Sequence, residues 1–173
     1  MSDLGTMEDQ GDHVVLRYRR RLAHPIERVW SALTDPTELT GWWGDVEAPT
    51  LAVGAPYTVR WHNEEQGERA VMAATITALD APHLLEIEGE PHGRLRFELR
   101  PDGDGTDLEL RCTSPIPPEH RTSVQAGWHF HLDALARQLG GGSTDLVDVR
   151  PAWEPIHERY VAVSGGAGTR SSR

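Results

Sequence analysis

Apolar and polar residues alternate along the chain between residues 54 and 113, in runs separated by turn residues. Within residues 93–101, for example, Leu95, Phe97 and Leu99 fall on one face, and the residues between them are charged. A period of two is typical of strands with one buried and one solvated face, as in antiparallel sheets. The pattern predicts strands at residues 54–62, 69–80, 83–90, 93–101 and 106–112.

A further strand and two short helices are predicted before this region. Residues 13–22 alternate in the same way and form the first predicted strand. The next segment has helical spacing after a proline suited to a first helical turn. Its apolar stripe consists of Ile26, Val29, Trp30 and Leu33. Residues 35–38 repeat the helix start signal, and this second helix ends at the glycines that flank Trp42 and Trp43.

Helical spacing returns after residue 117 and predicts one long helix, followed by a short terminal helix at about residues 153–163. The long helix begins at Pro118 and ends at the three glycines after Leu139. At about twenty residues it would extend some 30 Å, enough to cross a sheet. Its apolar stripe contains Val124, Trp128, His131, Leu132, Leu135 and Leu139.

These elements predict a single α+β domain over residues 13–163, with its core in residues 13–140. We expect a curved antiparallel sheet wrapped around the long C-terminal helix, with two short helices after the first strand: a helix-grip fold. Residues 1–12 and 164–173 are poor in apolar side chains and rich in Gly, Ser and Asp, so we expect them to be disordered.

The composition narrows the class of protein. The net charge of −10 argues against nucleic-acid binding, which draws on clustered cations. All 17 basic residues are arginine, which excludes lysine Schiff-base chemistry, and the single cysteine excludes intramolecular disulfides and multi-cysteine metal sites. No apolar run approaches the roughly 18 residues of a membrane span. We therefore expect a cytoplasmic protein without membrane insertion, cofactor or metal.

Six segments are similar to a known family and follow the family's order. They are residues 24–39 (HPIERVWSALTDPTEL), 41–44 (GWWG), 51–61, 76–87, 95–111 and 127–139. On these segments the sequence resembles the branch of the START-like (SRPBCC) superfamily that is related to the activator of the Hsp90 ATPase. The resemblance spans about residues 24–139, with the region of Tyr160 also similar to bacterial members.

The resemblance implies a cavity between the sheet and the long helix, open near the short helices. In the superfamily this cavity binds apolar or amphipathic small molecules, and in some branches it carries out cyclisation, dehydration or hydroxylation. The family has no invariant catalytic set to transfer. The eukaryotic co-chaperone has an additional N-terminal domain that binds the chaperone, which we do not expect here, so the resemblance does not imply co-chaperone activity.

The candidate ligand-binding residues lie on the predicted dry faces. They are Trp43, Tyr57, Trp61, Phe97, Trp128 and His131. Ordinary core packing and the lining of an apolar ligand cavity are both open for the aromatic residues. For the adjacent indoles we expect a division of labour, with one wedged into the core and the other, Trp43, at the cavity mouth.

The candidate polar chemistry is sparse. His131 is a silent core histidine, a polar anchor for a ligand or a general acid/base, and these readings stay open. His129 and His131 are two residues apart on a helix, so they point in opposite directions and cannot grip one metal ion. Cys112 falls on a dry face and is expected to behave as a small hydrophobic residue.

Three functions remain open on the sequence. The first is binding of an apolar small molecule without a reaction. The second is a cyclase- or dehydratase-like enzyme acting on an apolar or polyketide-like substrate, with His131 as its acid/base. The third is a stress-related protein-interaction module, which an exposed Phe130 on the long helix would favour. Exposure of Phe130 would equally favour a homodimer, which stays open.

Overall fold

The described residues form eight strands in one antiparallel sheet, in a computed structural model that describes residues 3–48, 50–65 and 68–167. The strands are β1 (Thr6–Asp9), β2 (Val14–Leu22), β3 (Asp45–Glu47), β4 (Pro56–Glu65), β5 (Glu68–Asp80), β6 (Leu84–Glu90), β7 (Gly93–Asp102) and β8 (Gly105–Ser114). Their order in the sheet is β1-β2-β8-β7-β6-β5-β4-β3. Hairpins join β4 through β8 in sequence, as the alternating runs predicted.

The helices lie between β2 and β3 and after β8. They are α1 (Ile26–Thr34), α2 (Pro36–Leu39), α3 (Arg121–Leu139), which follows a 3₁₀ turn at Pro118–His120, and α4 (Arg150–Ala167). The start of α2 has the predicted cap, because the Asp35 side chain accepts from the backbone N–H groups of Thr37 and Glu38. The α+β class and the long C-terminal helix are confirmed.

The core lies between the sheet and α3, on the face that the alternation predicted to be dry. In β2 the buried residues include Val14, Leu16 and Tyr18, and in β7 they are Leu95, Phe97 and Leu99. The α1 stripe is buried except for Trp30, which is only partly buried at the edge of the core. The α3 residues that cover the core include Trp128, Leu132, Leu135 and Leu139.

Two expectations about the chain ends are wrong. Residues 6–9 form β1, which pairs with β2 in the register Thr6↔Arg17, so the short helices follow the second strand and not the first. The side chains of β1 are all exposed, so backbone pairing forms this strand without an apolar pattern. At the other end, α4 continues through residues 164–167. The remaining residues expected to be disordered, 1–2 and 168–173, lie outside the described residues.

A buried polar network fastens α4 and the N-terminal segment to α3. The hydroxyl of Tyr160 accepts from the backbone N–H of Gly5 at 2.7 Å and lies 3.0 Å from Nδ1 of His129, which is fully buried. On its other side, Nε2 of His129 lies 3.4 Å from the carboxylate of Asp133. Tyr160 therefore links three separate segments of the chain.

None of the helices in the described residues is long and apolar enough to cross a membrane.

Candidate functional site

The two adjacent tryptophans lie in the turn that leaves α2 for β3. The backbone N–H groups of Trp43 and Gly44 both donate to the carbonyl of Leu39, at 2.9 and 3.1 Å. Gly44 packs so closely on β4 that a Cβ there would lie 2.5 Å from the carbonyl oxygen of Arg60. A glycine is needed at this point because the turn is pressed onto the sheet.

Trp42 and Trp43 have different surroundings, as the expected division of labour required. Trp42 is fully buried and donates its ring N–H to the carbonyl of Ala32 in α1 at 2.8 Å. It is therefore the indole that fixes the turn to the helix layer. Trp43 is 1% exposed, so it does not lie at an open mouth, and that part of the expectation is wrong.

Trp43 is the centre of an aromatic cluster between the sheet and α3. Five aromatic rings of the described residues surround its indole, with ring centroids 5.5 to 6.4 Å away. They belong to Trp42, Trp128, Phe97, Tyr57 and Trp61, in order of increasing distance. The structure thus brings together the five aromatic candidates from the sequence and adds Trp42, which had been assigned only to the core.

The Trp43 indole occupies the space where the resemblance implied a cavity. Two surface pockets of about 280 and 310 Å³ lie elsewhere, and both are lined by Arg96 and Glu98. Those two side chains alternate with Phe97 on β7 and so face away from the aromatic cluster. The interior rings themselves are closed off from solvent, since Trp43, Tyr57 and Phe97 are each at most 1% exposed, so the site is a packed cluster.

Two polar atoms inside this cluster find no hydrogen-bond partner among the described residues. They are Nε1 of Trp43 and the hydroxyl oxygen of Tyr57, a residue that is fully buried. Burial raises the pKa of the Tyr57 hydroxyl, so it stays protonated and remains a donor. Buried polar groups in native proteins are nearly always paired, and leaving one unpaired costs about 1–3 kcal/mol. We call Trp43 Nε1 and Tyr57 Oη the unpaired donors.

His131 lies beside the cluster, with its ring centroid 5.9 Å from that of Trp128. Its Nδ1 is 2.9 Å from the carbonyl oxygen of Trp42. A carbonyl can only accept, so Nδ1 carries the proton and Nε2 of the neutral ring has the free lone pair. Burial lowers the pKa of His131 to about 4, which keeps the imidazole neutral at pH 7. The residue is only partly buried as a whole, so it lies at the boundary of the site.

His92 also lies at the site, and no sequence pattern had indicated it. Its ring lies 4.7 Å from that of Trp61, and burial lowers its pKa. It lies in the connection between β6 and β7, where neither strand nor helix periodicity assigns a face. Only its aromatic and ionisable character in a short hairpin could have marked it as a candidate.

The remaining candidates behave as their surroundings dictate. Cys112 is 1% exposed, and burial raises its pKa to about 12, so it is an inert thiol. His129 contacts Tyr160 and His131 contacts Trp42, so the two rings diverge. Within residues 3–48, 50–65 and 68–167, no three His, Cys, Asp or Glu side chains are grouped so as to hold a metal ion.

Comparison with known families supplies a match over most of the chain. The family model described as "Activator of Hsp90 ATPase homolog 1-like protein" matches residues 23–140. No curated protein sequence matches significantly.

Several solved structures have a similar fold. CalU16 from Micromonospora echinospora is 23% identical with a TM-score of 0.67, covering 92% of this chain and 94% of its own. The conserved protein of unknown function EF2215 from Enterococcus faecalis is 17% identical with a TM-score of 0.70, covering 94% and 91%. DynU16, a putative protein in the dynemicin biosynthetic locus, is 21% identical with a TM-score of 0.64, covering 78% of this chain and 50% of its own. At these identities the likeness extends to the fold alone.

Proposed function

The chain belongs to the Activator of Hsp90 ATPase homolog 1-like family of the START-like (SRPBCC) superfamily, and we propose that it binds an apolar or amphipathic small molecule between the sheet and α3. The observation that carries this proposal is the pair of unpaired donors, which lie inside an aromatic cluster and find no acceptor in the described part of the chain. A ligand oxygen would satisfy a donor that the protein itself leaves unpaired.

The composition of the cluster also supports a ligand site. Small-molecule sites are mostly apolar and aromatic, with a few polar groups that fix orientation. The five aromatic rings around Trp43 supply the apolar lining, the unpaired Tyr57 hydroxyl supplies a hydrogen-bond donor, and Nε2 of His131 supplies an acceptor. DynU16 is described as a putative protein of a biosynthetic locus, which is consistent with a small-molecule ligand.

The enzyme alternative is a cyclase- or dehydratase-like reaction with His131 as acid/base. The observation in its favour is a second partly buried histidine, His92, whose ring lies 4.7 Å from that of Trp61. A general base works best with a pKa near the operating pH, and the pKa of His131 at about 4 makes it a weak base at neutral pH. This favours binding over catalysis.

The protein-interaction alternative has less support. It would have been favoured by an exposed Phe130 on α3, and Phe130 is 3% exposed. Burial also removes the reason that this residue gave for a homodimer.

A thermal-shift screen tests the proposed function. Fatty acids, sterols and aromatic polyketides are added to the protein and to the variants His131→Ala and Trp128→Ala. We expect at least one compound class to raise the Tm of the protein, and this shift to fall in both variants. Trp153→Ala on α4, which lies outside the cluster, is the control and should keep the shift. A screen with no stabilising compound, or hits that both site variants leave unchanged, would contradict the proposal.

A further inference from the structure

The position of the Trp43 indole defines a flat, aromatic slot. Trp42 stacks nearly parallel to it, with an angle of 21° between the ring planes. Trp61 and Phe97 meet it edge-on, at 77° and 62°. A fused bicyclic ring therefore has a stacking partner and perpendicular edges in this slot, which is the geometry that aromatic rings prefer.

Displacing this indole would break few specific contacts. The ring nitrogen of Trp43 has no hydrogen bond to any described residue, whereas that of Trp42 donates to Ala32. Rotation of the Trp43 side chain thus sacrifices packing but no polar contact. The backbone of the turn is held by the Leu39 carbonyl and by the contact of Gly44 with β4, so the turn can stay in place while the side chain moves.

One polar group of the slot, the Tyr57 hydroxyl, would remain in place after the Trp43 indole moves out. Tyr57 is a fully buried residue of β4, and its ring centroid is 6.1 Å from that of Trp43. Its hydroxyl group donates a hydrogen bond to no described residue. A ligand that fills the slot without an oxygen near Tyr57 would leave this donor unpaired. The surrounding rings are uncharged, so a charged ligand would meet a large desolvation cost.

We propose that the Trp43 indole stands in the position of the ligand's ring, and that the ligand is a neutral, flat, fused-ring aromatic molecule with an oxygen that accepts from Tyr57. Binding then exchanges one aromatic ring for another: Trp43 rotates out and the ligand takes its place. This inference rests on the proposed function and specifies the ligand class of that same site.

The first test removes the indole and returns it as a free molecule. Trp43→Ala is expected to leave a dry aromatic cavity, and apolar cavities of about 150 Å³ bind aromatic molecules such as benzene. Millimolar indole should raise the Tm of Trp43→Ala by several degrees and that of the unaltered protein much less, because there indole must first displace the Trp43 ring. Trp153→Ala is the control, because it removes a tryptophan that lies outside the cluster, and its Tm should respond to indole no more than that of the unaltered protein. A folded Trp43→Ala protein indifferent to indole would overturn the proposal. If this variant does not fold, the decision rests on the test with the unaltered protein.

The second test uses the unaltered protein with 2-naphthol, naphthalene and 1-decanol. We expect 2-naphthol to give a larger Tm shift than 1-decanol and to move the indole N–H NMR signal of Trp43, assigned with Trp43→Phe. The Trp42 signal should move much less, since its N–H stays bound to Ala32. Tyr57→Phe should weaken the binding of 2-naphthol roughly tenfold, as expected for the loss of one hydrogen bond. The binding of naphthalene, which has no oxygen, should stay unchanged.

In this second test three results would overturn the inference: equal or greater stabilisation by 1-decanol, bound 2-naphthol with an unmoved Trp43 signal, or no stabilisation by 2-naphthol. Each leaves the proposed function standing as long as another apolar compound in the broad screen stabilises the protein through Trp128 and His131. The proposed function falls when no compound in the screen stabilises the protein, or when both site variants leave the hits unchanged.

Discussion

The indole rings of Trp42 and Trp43 stack with their centroids 5.5 Å apart, yet among the described residues only the ring nitrogen of Trp42 has an acceptor. That acceptor is the carbonyl of Ala32, one of the last carbonyls of α1, which have no partner within their own helix. Trp42 therefore completes the end of α1, while Trp43 fills the interior site.

This asymmetry predicts unequal costs for matched substitutions. Trp42→Phe and Trp43→Phe remove the same atoms from buried positions, but only the first also leaves the Ala32 carbonyl without its donor. We expect Trp42→Phe to lower the free energy of unfolding by about 1 kcal/mol more than Trp43→Phe. Urea denaturation of the two variants measures this difference, and equal costs would contradict the assigned roles.

The glycines near the site predict a graded series of alanine substitutions. Gly44→Ala places a methyl group against the Arg60 carbonyl of β4, and we expect it to cost about 2 kcal/mol or more. In Gly41→Ala the added methyl group overlaps the side-chain oxygen of Gln138. That side chain can rotate away, so the loss of stability should be smaller. Gly127→Ala in α3 meets no described atom within 4 Å and should stabilise the helix by about 0.5–1 kcal/mol. Denaturation midpoints in this order confirm the close contact of the turn with the sheet.

The buried imidazole of His131 predicts a loss of stability in mild acid. Burial lowers its pKa from 6.5 to about 4, so between these values the unfolded chain binds a proton that the folded chain does not. The contribution of His131 is then complete above about pH 6.5 and is lost as the pH falls toward 4. Because His131 keeps partial solvent contact, we expect this contribution to the free energy of unfolding to be about 2 kcal/mol.

The variant His131→Asn isolates this effect, since an amide N–H can still donate to the Trp42 carbonyl but does not titrate in this range. Its free energy of unfolding should change less than that of the unaltered protein between pH 7 and pH 4. Substitution of the exposed His120 by Gln is the control for removing a histidine from the surface. Parallel profiles for His131→Asn and the unaltered protein would count against a buried neutral imidazole.

The hydroxyl groups of two tyrosines predict opposite outcomes for the same substitution. Tyr160→Phe leaves the Gly5 N–H and the buried His129 without their shared partner, so it should cost about 1–3 kcal/mol. It should also speed amide hydrogen exchange at Gly5. Tyr57→Phe removes a hydroxyl that no described residue accepts from, so it should be neutral or stabilising. A larger cost for Tyr57→Phe would mean that its hydroxyl has a partner in solution.

Much of the fold could be predicted from the periodicity of apolar residues alone, because most strands and helices bury one face. The alternation of Leu95, Phe97 and Leu99 identified β7 and its inward side, and the same argument held for β2, β4 and β8. The prediction missed β1 and β3, which are held by backbone hydrogen bonds along the sheet edges. A strand of three or four residues is too short for a periodic signal.

Most aromatic residues of the candidate site could be predicted from the sequence, but the way in which they pack together could not. Periodicity indicated that Tyr57, Trp61, Phe97 and Trp128 point to one interior, and the structure places them together. It could not indicate that the Trp43 indole fills the space between them, since that depends on the direction of one side chain after a turn. Nor could it reveal that Tyr57 is left without an acceptor among the described residues, which is a property of three-dimensional neighbours.

The position of β1 and β3 at the two edges of the sheet bears on solubility. A long bare edge strand is a template for a strand of another polypeptide and so promotes aggregation. Here the nine-residue β2 and the ten-residue β4 are each partly covered, and the outermost strands are four and three residues long. Because β1 pairs with residues 14–17 of β2 and β3 pairs with residues 58–60 of β4, each outermost strand shortens the stretch of unpaired backbone at its edge. At one edge this protection comes from β1, whose side chains are all exposed.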